Sequence, residues 1–135
     1  MNKGQLRAFR AQAKEMGQLR ESLERLQALR GPKITKYDSS PGGGGDGQSP
    51  VESSVERIIA LEDKYHAMLA QYAHRRILIE DSIAGLPPNE KAVIRSYYLD
   101  CLTWEETAYN LHFSYQHTHR LHASALIHLS EKEQK

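Results

Sequence analysis

The 135-residue chain has one cysteine, one tryptophan, two phenylalanines and almost no net charge, +1 with neutral histidines. The single thiol, Cys101, excludes an internal disulfide and suits a reducing compartment, so a cytoplasmic protein is expected. Placed in a helix connection between Asp100 and Leu102, it reads as a packed thiol, not a nucleophile. No stretch approaches the roughly 18 consecutive apolar residues that a membrane span needs. A secretory leader is not expected either, because Lys3, Arg7, Arg10 and Lys14 interrupt any apolar run. Catalytic patterns are equally scarce. No Ser-His-Asp or Cys-His arrangement follows from spacing, and Gly42 to Gly45 lacks both the Lys-Ser/Thr and the preceding strand of a phosphate loop. His119 and His122 lie one helical turn apart, but no third ligand of metal-binding spacing accompanies them. Glu105 and Glu106 resemble paired carboxylates; helix capping explains Glu106 and complementarity to the helix dipole explains Glu105. These absences point to a non-enzyme without cofactor or resident metal.

What is present is helical periodicity. Residues 1–30 read as a basic amphipathic helix, with Leu6, Phe9, Ala13, Met16, Leu19, Leu23 and Leu26 at alternating spacings of three and four, stopped by Gly31-Pro32. Residues 31–49 lose apolar side chains and gain glycine, serine and proline, the composition of a flexible linker. Residues 50–85 read as a long coiled-coil-like helix, opened by Ser49, Pro50 and Glu52 and carrying Val55, Ile58, Tyr65, Leu69, Tyr72, Ile79 and Ile83. So long an apolar stripe needs a partner, either the first helix folded back or a second copy of the chain, as a homodimer or larger assembly.

Residues 86–135 carry the most pointed pattern. Thr103 and Glu106 form a capping box at the start of one short helix, and Ser114 is placed to cap a second. That is a helix-turn-helix layout. Ala108 falls where the two helices cross, and Leu111 and Phe113 can plug the space beneath them. Thr118, Leu121, His122, Ala125 and Leu129 mark the buried side of the second helix, which leaves Gln116, His119, Arg120, Ala123 and Ile127 on the open side. An ordinary helical hairpin with a polar outer face would show the same periodicity.

From Leu86 to Leu129 the chain resembles the fourth region of bacterial sigma factors, which reads an upstream promoter element. The likeness rests on Leu86-Pro87-Pro88, Val93-Ile94, Tyr97-Tyr98, Leu102-Thr103-Trp104-Glu105-Glu106 and the run Ala123 to Leu129; the turn carries His112 where glycine or an acidic residue is usual. The layout of the whole chain is similar to phage-encoded regulators of the ArpU and RinA type, which control late genes. The resemblance implies an all-α fold, double-stranded DNA as partner and the host RNA polymerase as a second one. In that mechanism Tyr115, Gln116, His117, His119 and Arg120 face the groove, Arg120 suited to guanine and Gln116 to adenine. Ser114 and the helix N-terminus would hold a backbone phosphate. A phage small terminase, the DNA-packaging subunit, is the competing expectation, since it too joins a helix-turn-helix to an assembly helix. Its helix-turn-helix usually comes first, whereas here it comes last.

Charge is unevenly spread. Residues 1–36 hold nine Lys/Arg against three acids, whereas residues 86–135 hold five against six. A DNA-binding module that is not basic gains little from phosphate neutralisation alone. Two sources of further positive charge are visible: five histidines (His112, His117, His119, His122, His128) as pH falls through about 6.5, and the basic N-terminal segment. The latter also reads simply as a solvated helix face.

Overall fold

A computed structural model describes residues 1–30 and 50–133, and every regular element among them is helical. In chain order these are α1 (Lys3–Arg30), α2 (Pro50–Ile83), α3 (Pro88–Ile94, continued by a π turn over Arg95–Leu99), α4 (Trp104–Leu111) and α5 (Tyr115–Glu133). The expected linker 31–49, the Ser49 cap and the side chain of Glu52 lie outside the described residues. The fold is all-α, as expected.

Helix ends follow local chemistry. Asn2 and Gln5 exchange bonds at the start of α1, each side-chain oxygen accepting the other's backbone N–H at 2.9 Å. After α2, the Leu86 N–H closes a turn on the Ile83 carbonyl, and Pro88 opens α3 at a position where its missing N–H costs nothing. The end of α3 widens: the Asp100 N–H bonds the Arg95 carbonyl, Cys101 takes a left-handed φ of 59°, and the Leu102 N–H reaches back to Ser96.

The chain divides into two compact units, Met1–Glu15 with Ala70–Lys135, and Met16–Leu69. The first has a continuous core of Leu6 and Phe9 from α1, Ile79 and Ile83 from α2, Leu86, then Ile94, Tyr98 and Leu99, and Ala125 and Leu129 from α5. Each leucine, isoleucine or phenylalanine among them contributes roughly 1.5–3 kcal/mol when fully buried. Leu6 and Phe9 are 0% and 1% exposed, so the first turns of α1 belong to the core that carries the C-terminal helices. Phe9 stacks on Tyr72, rings 5.0 Å apart, and Gln12 bonds Arg75 at 2.8 Å. Of the two partners left open for the long helix α2, α1 packs against it.

In the second unit Met16, Leu23 and Ile58 are buried, and Gln27 donates to Glu62 at 3.1 Å. Its polar face carries exposed Arg20–Glu24 and Arg25–Glu21 pairs.

Candidate nucleic-acid interface

The helix-turn-helix is α4, a three-residue turn and α5. At its start the Thr103 hydroxyl accepts the Glu106 N–H at 3.1 Å, and the Glu106 carboxylate accepts the Thr103 N–H at 3.0 Å. The Thr103 N–H, and after it the Thr103 hydroxyl, hold the Glu106 carboxyl below its ordinary value. The α4 helix ends in a Schellman-type turn: the Phe113 N–H bonds Ala108 and the His112 N–H bonds Tyr109. His112 there has φ 61° and ψ 37°, the left-handed conformation that glycine adopts without strain. Ser114 then caps α5, accepting the His117 N–H at 3.0 Å. Buried Thr118 donates its hydroxyl to the Ser114 carbonyl at 2.9 Å and locks the first turn.

The inner face of α5 is that expected. Thr118, His122, Ala125 and Leu129 are buried, Leu121 is half-buried, and Ala108 of α4 is buried where the helices cross. A second tie holds the far end: His128 Nδ1 meets the buried carboxylate of Glu90 in α3 at 2.8 Å.

The candidate base-reading residues separate into two groups. Ser114, Tyr115, Gln116 and Arg120 are exposed along the first two turns of α5, with Ala123 beyond them. His117 and His119 are drawn in. His117 is partly buried with its ring edge-on to Phe113 at 5.0 Å. His119, expected on the open side, lies between Trp104 and Tyr115, 4.5 and 4.4 Å from their centroids. Its Nε2 is buried without a hydrogen-bond partner among the described residues, so this nitrogen is shielded from solvent. The cause is Trp104: its wide ring at the start of α4 covers the helix face on which His119 sits.

Trp104 belongs to a column of planar groups. It stacks on Tyr97, rings 3.7 Å apart and 11° from parallel, and the Arg10 guanidinium lies 4.1 Å from the Tyr97 centroid on its ring face. The same guanidinium donates to the carbonyls of Tyr97 at 2.9 Å and Leu102 at 3.0 Å. The wide turn after α3 withdraws the usual intrahelical donor from Tyr97, and Arg10 replaces it. Cys101 in turn donates its thiol to the Arg10 carbonyl, at 3.9 Å, and burial pushes that thiol's pKa up, which keeps it protonated. Arg10 was legible only as one cation in a basic helix; its partners come from residues about 90 positions away.

His122 packs under Trp104 and bonds the Tyr98 hydroxyl at 2.7 Å. Burial pushes its ring down to about 4, and the charges of Lys3, His119 and Arg7 act in the same direction. Burial likewise raises Tyr98 to about 12, so at neutral pH the pair is an uncharged phenol beside an uncharged imidazole.

Residues 82–131 match the family model of Sigma-70, region 4. The matched stretch runs from the last turn of α2 through α5 and contains the whole capped helix-turn-helix. It is a sigma region-four-like domain, and the match supports DNA binding by it. No curated protein and no solved structure matches the chain. No helix among the described residues is long and apolar enough to cross a membrane.

Proposed function

We propose that the chain is a sequence-specific regulator of transcription, of phage or prophage type, that seats α5 in the major groove of promoter DNA and contacts the host RNA polymerase. It acts by binding and not by catalysis. The observation that carries this reading is the exposed edge formed by Tyr115, Gln116 and Arg120 on a helix whose start is fixed by the Ser114 cap and the Thr118 hydroxyl. Arg120 has the donors for a bidentate pair with guanine and Gln116 for one with adenine. Ser114 and the first α5 amides lie where a backbone phosphate would bind. Exposed Tyr109 and Ile127 offer apolar surface to a protein such as the polymerase. Exposed Ile59, Ile77 and Leu78 on α2 support self-association.

Selection of bound duplexes from a random pool tests the reading directly, with Arg120→Ala alongside. An enriched motif is expected, and the variant should bind it about 10- to 100-fold more weakly, equivalent to roughly 1–3 kcal/mol, with preference relaxed at one base. A pool without enrichment refutes sequence reading. A ring of many subunits in light scattering would instead favour DNA packaging, whereas a monomer or dimer fits regulation.

A further inference from the structure

The reading head is poor in the charge that DNA requires. From Tyr115 to Glu131 the only lysine or arginine is Arg120. The missing cations lie at the other end of the chain. Residues 1–14 contain Lys3, Arg7, Arg10 and Lys14 and no Asp or Glu. At about 100° per residue these four fall within roughly 60° of one another, a single stripe along α1.

Contacts on both sides of the stripe orient it. Leu6 and Phe9 face the core shared with Ala125 and Leu129 of α5. On one flank of that apolar face Gln12 meets Gln71 and Arg75 of α2. On the opposite flank Arg10 meets Tyr97 and Leu102, against the Trp104 column. The basic stripe therefore lies on the helix-turn-helix side of α1. Arg10 is consumed by its carbonyl bonds, but Lys3 and Arg7 are exposed and no described carboxylate pairs with them. Their charges also act on the His122 ring of α5, in the same direction as its burial.

We propose that Lys3 and Arg7 form a second DNA contact, an edge of α1 that grips the phosphate backbone beside the α5 reading helix. The proposal rests on the DNA-binding reading above and deepens it. Arg120 and Gln116 supply sequence preference, and α1 supplies affinity that is indifferent to sequence. Such contacts release counterions, so each steepens the salt dependence of binding by about 0.9 in log–log slope.

The experiment compares the full chain with the double variant Lys3→Gln/Arg7→Gln. Affinity is measured by fluorescence anisotropy across a salt series on two duplexes, one selected by the protein and one unrelated. A second double variant, Arg20→Gln/Arg25→Gln, removes the same charge from side chains paired with Glu24 and Glu21. The expected result is a slope shallower by about 2 on both duplexes for the first variant alone, tenfold or more weaker binding at about 0.1 M salt, and an unchanged ratio between duplexes. Because both side chains are exposed, its unfolding midpoint should match the wild type. A slope equal to wild type overturns the proposal, as does an equal shallowing in the Arg20/Arg25 variant, which would reduce the effect to net charge. Failure of the wild type to bind either duplex overturns the DNA-binding reading itself.

Discussion

Replacing Arg10 by Met keeps an unbranched apolar stem and removes the guanidinium, which isolates its role. The side chain makes two bonds to backbone carbonyls, at 2.9 and 3.0 Å, and one ring contact at 4.1 Å. A bond to a charged donor is worth a net ~1.5–3 kcal/mol, and an exposed cation–π contact ~0.5–1 kcal/mol. Arg10 is only partly buried, so water can reach some of the released carbonyl surface and the sum must be discounted. A loss of about 2–4 kcal/mol is expected, enough to lower the melting temperature of a unit this size by roughly 10–20 °C. Urea unfolding followed by the fluorescence of the single tryptophan, Trp104, is a suitable assay because that ring is stacked on Tyr97. Arg10→Lys should recover only part of the loss, since an ammonium cannot span two carbonyls as the planar fork does. A loss below about 0.5 kcal/mol, or full recovery with lysine, would show that the carbonyls after α3 do not depend on this fork.

Two further outcomes follow from the turn and the core. His122 titrates near 6.5 in an unfolded chain and near 4 when folded, so between those values the unfolded chain binds a proton that the folded one does not. Stability from this site is therefore intact above about pH 6.5 and falls progressively towards pH 4, by up to ~3 kcal/mol. Urea midpoints across that range should fall more steeply for wild type than for His122→Gln; parallel curves would place the ring in solvent. His112→Gly should stabilise by about 0.5–1 kcal/mol, because glycine takes the left-handed turn without a Cβ penalty but loses more chain entropy on folding. A lower melting temperature for this variant would mean that the His112 side chain makes a stabilising contact that outweighs its backbone strain.

Local features were the most legible ones. The Thr103–Glu106 box and the Ser114 cap depend on residues within a few positions, and each is found where the sequence places it. The inner stripe of α5 follows from periodicity for the same reason. The Asn2–Gln5 box was equally local, but a cap at the second residue precedes any periodic run that would draw attention to it. His119 illustrates where periodicity stops. Its angle on α5 puts it near the open side, and only the Trp104 ring arriving from α4 decides that its Nε2 is covered. Arg10 is the stronger case. Nothing in a run of cations tells which one will meet carbonyls exposed by a wide turn far along the chain. The placement of α1 is a tertiary fact of the same kind: the stripe of the long α2 helix calls for a partner and leaves open whether that is α1 or a second copy of the chain.

The presence of Leu6 and Phe9 in one core with Leu129 has a consequence for how the molecule is made. These contacts join residues about 120 positions apart, so they are of very high sequence separation and slow to form. At about 5–20 residues per second, the ribosome emits the α1 stripe several seconds or more before α5 exists to cover it. Until then α2 and α3 cover only part of that stripe, and a chain interrupted before α5 lacks the share of the core that Ala125 and Leu129 supply. Completion of the core under the helix-turn-helix thus waits until α1 and α5 are present together.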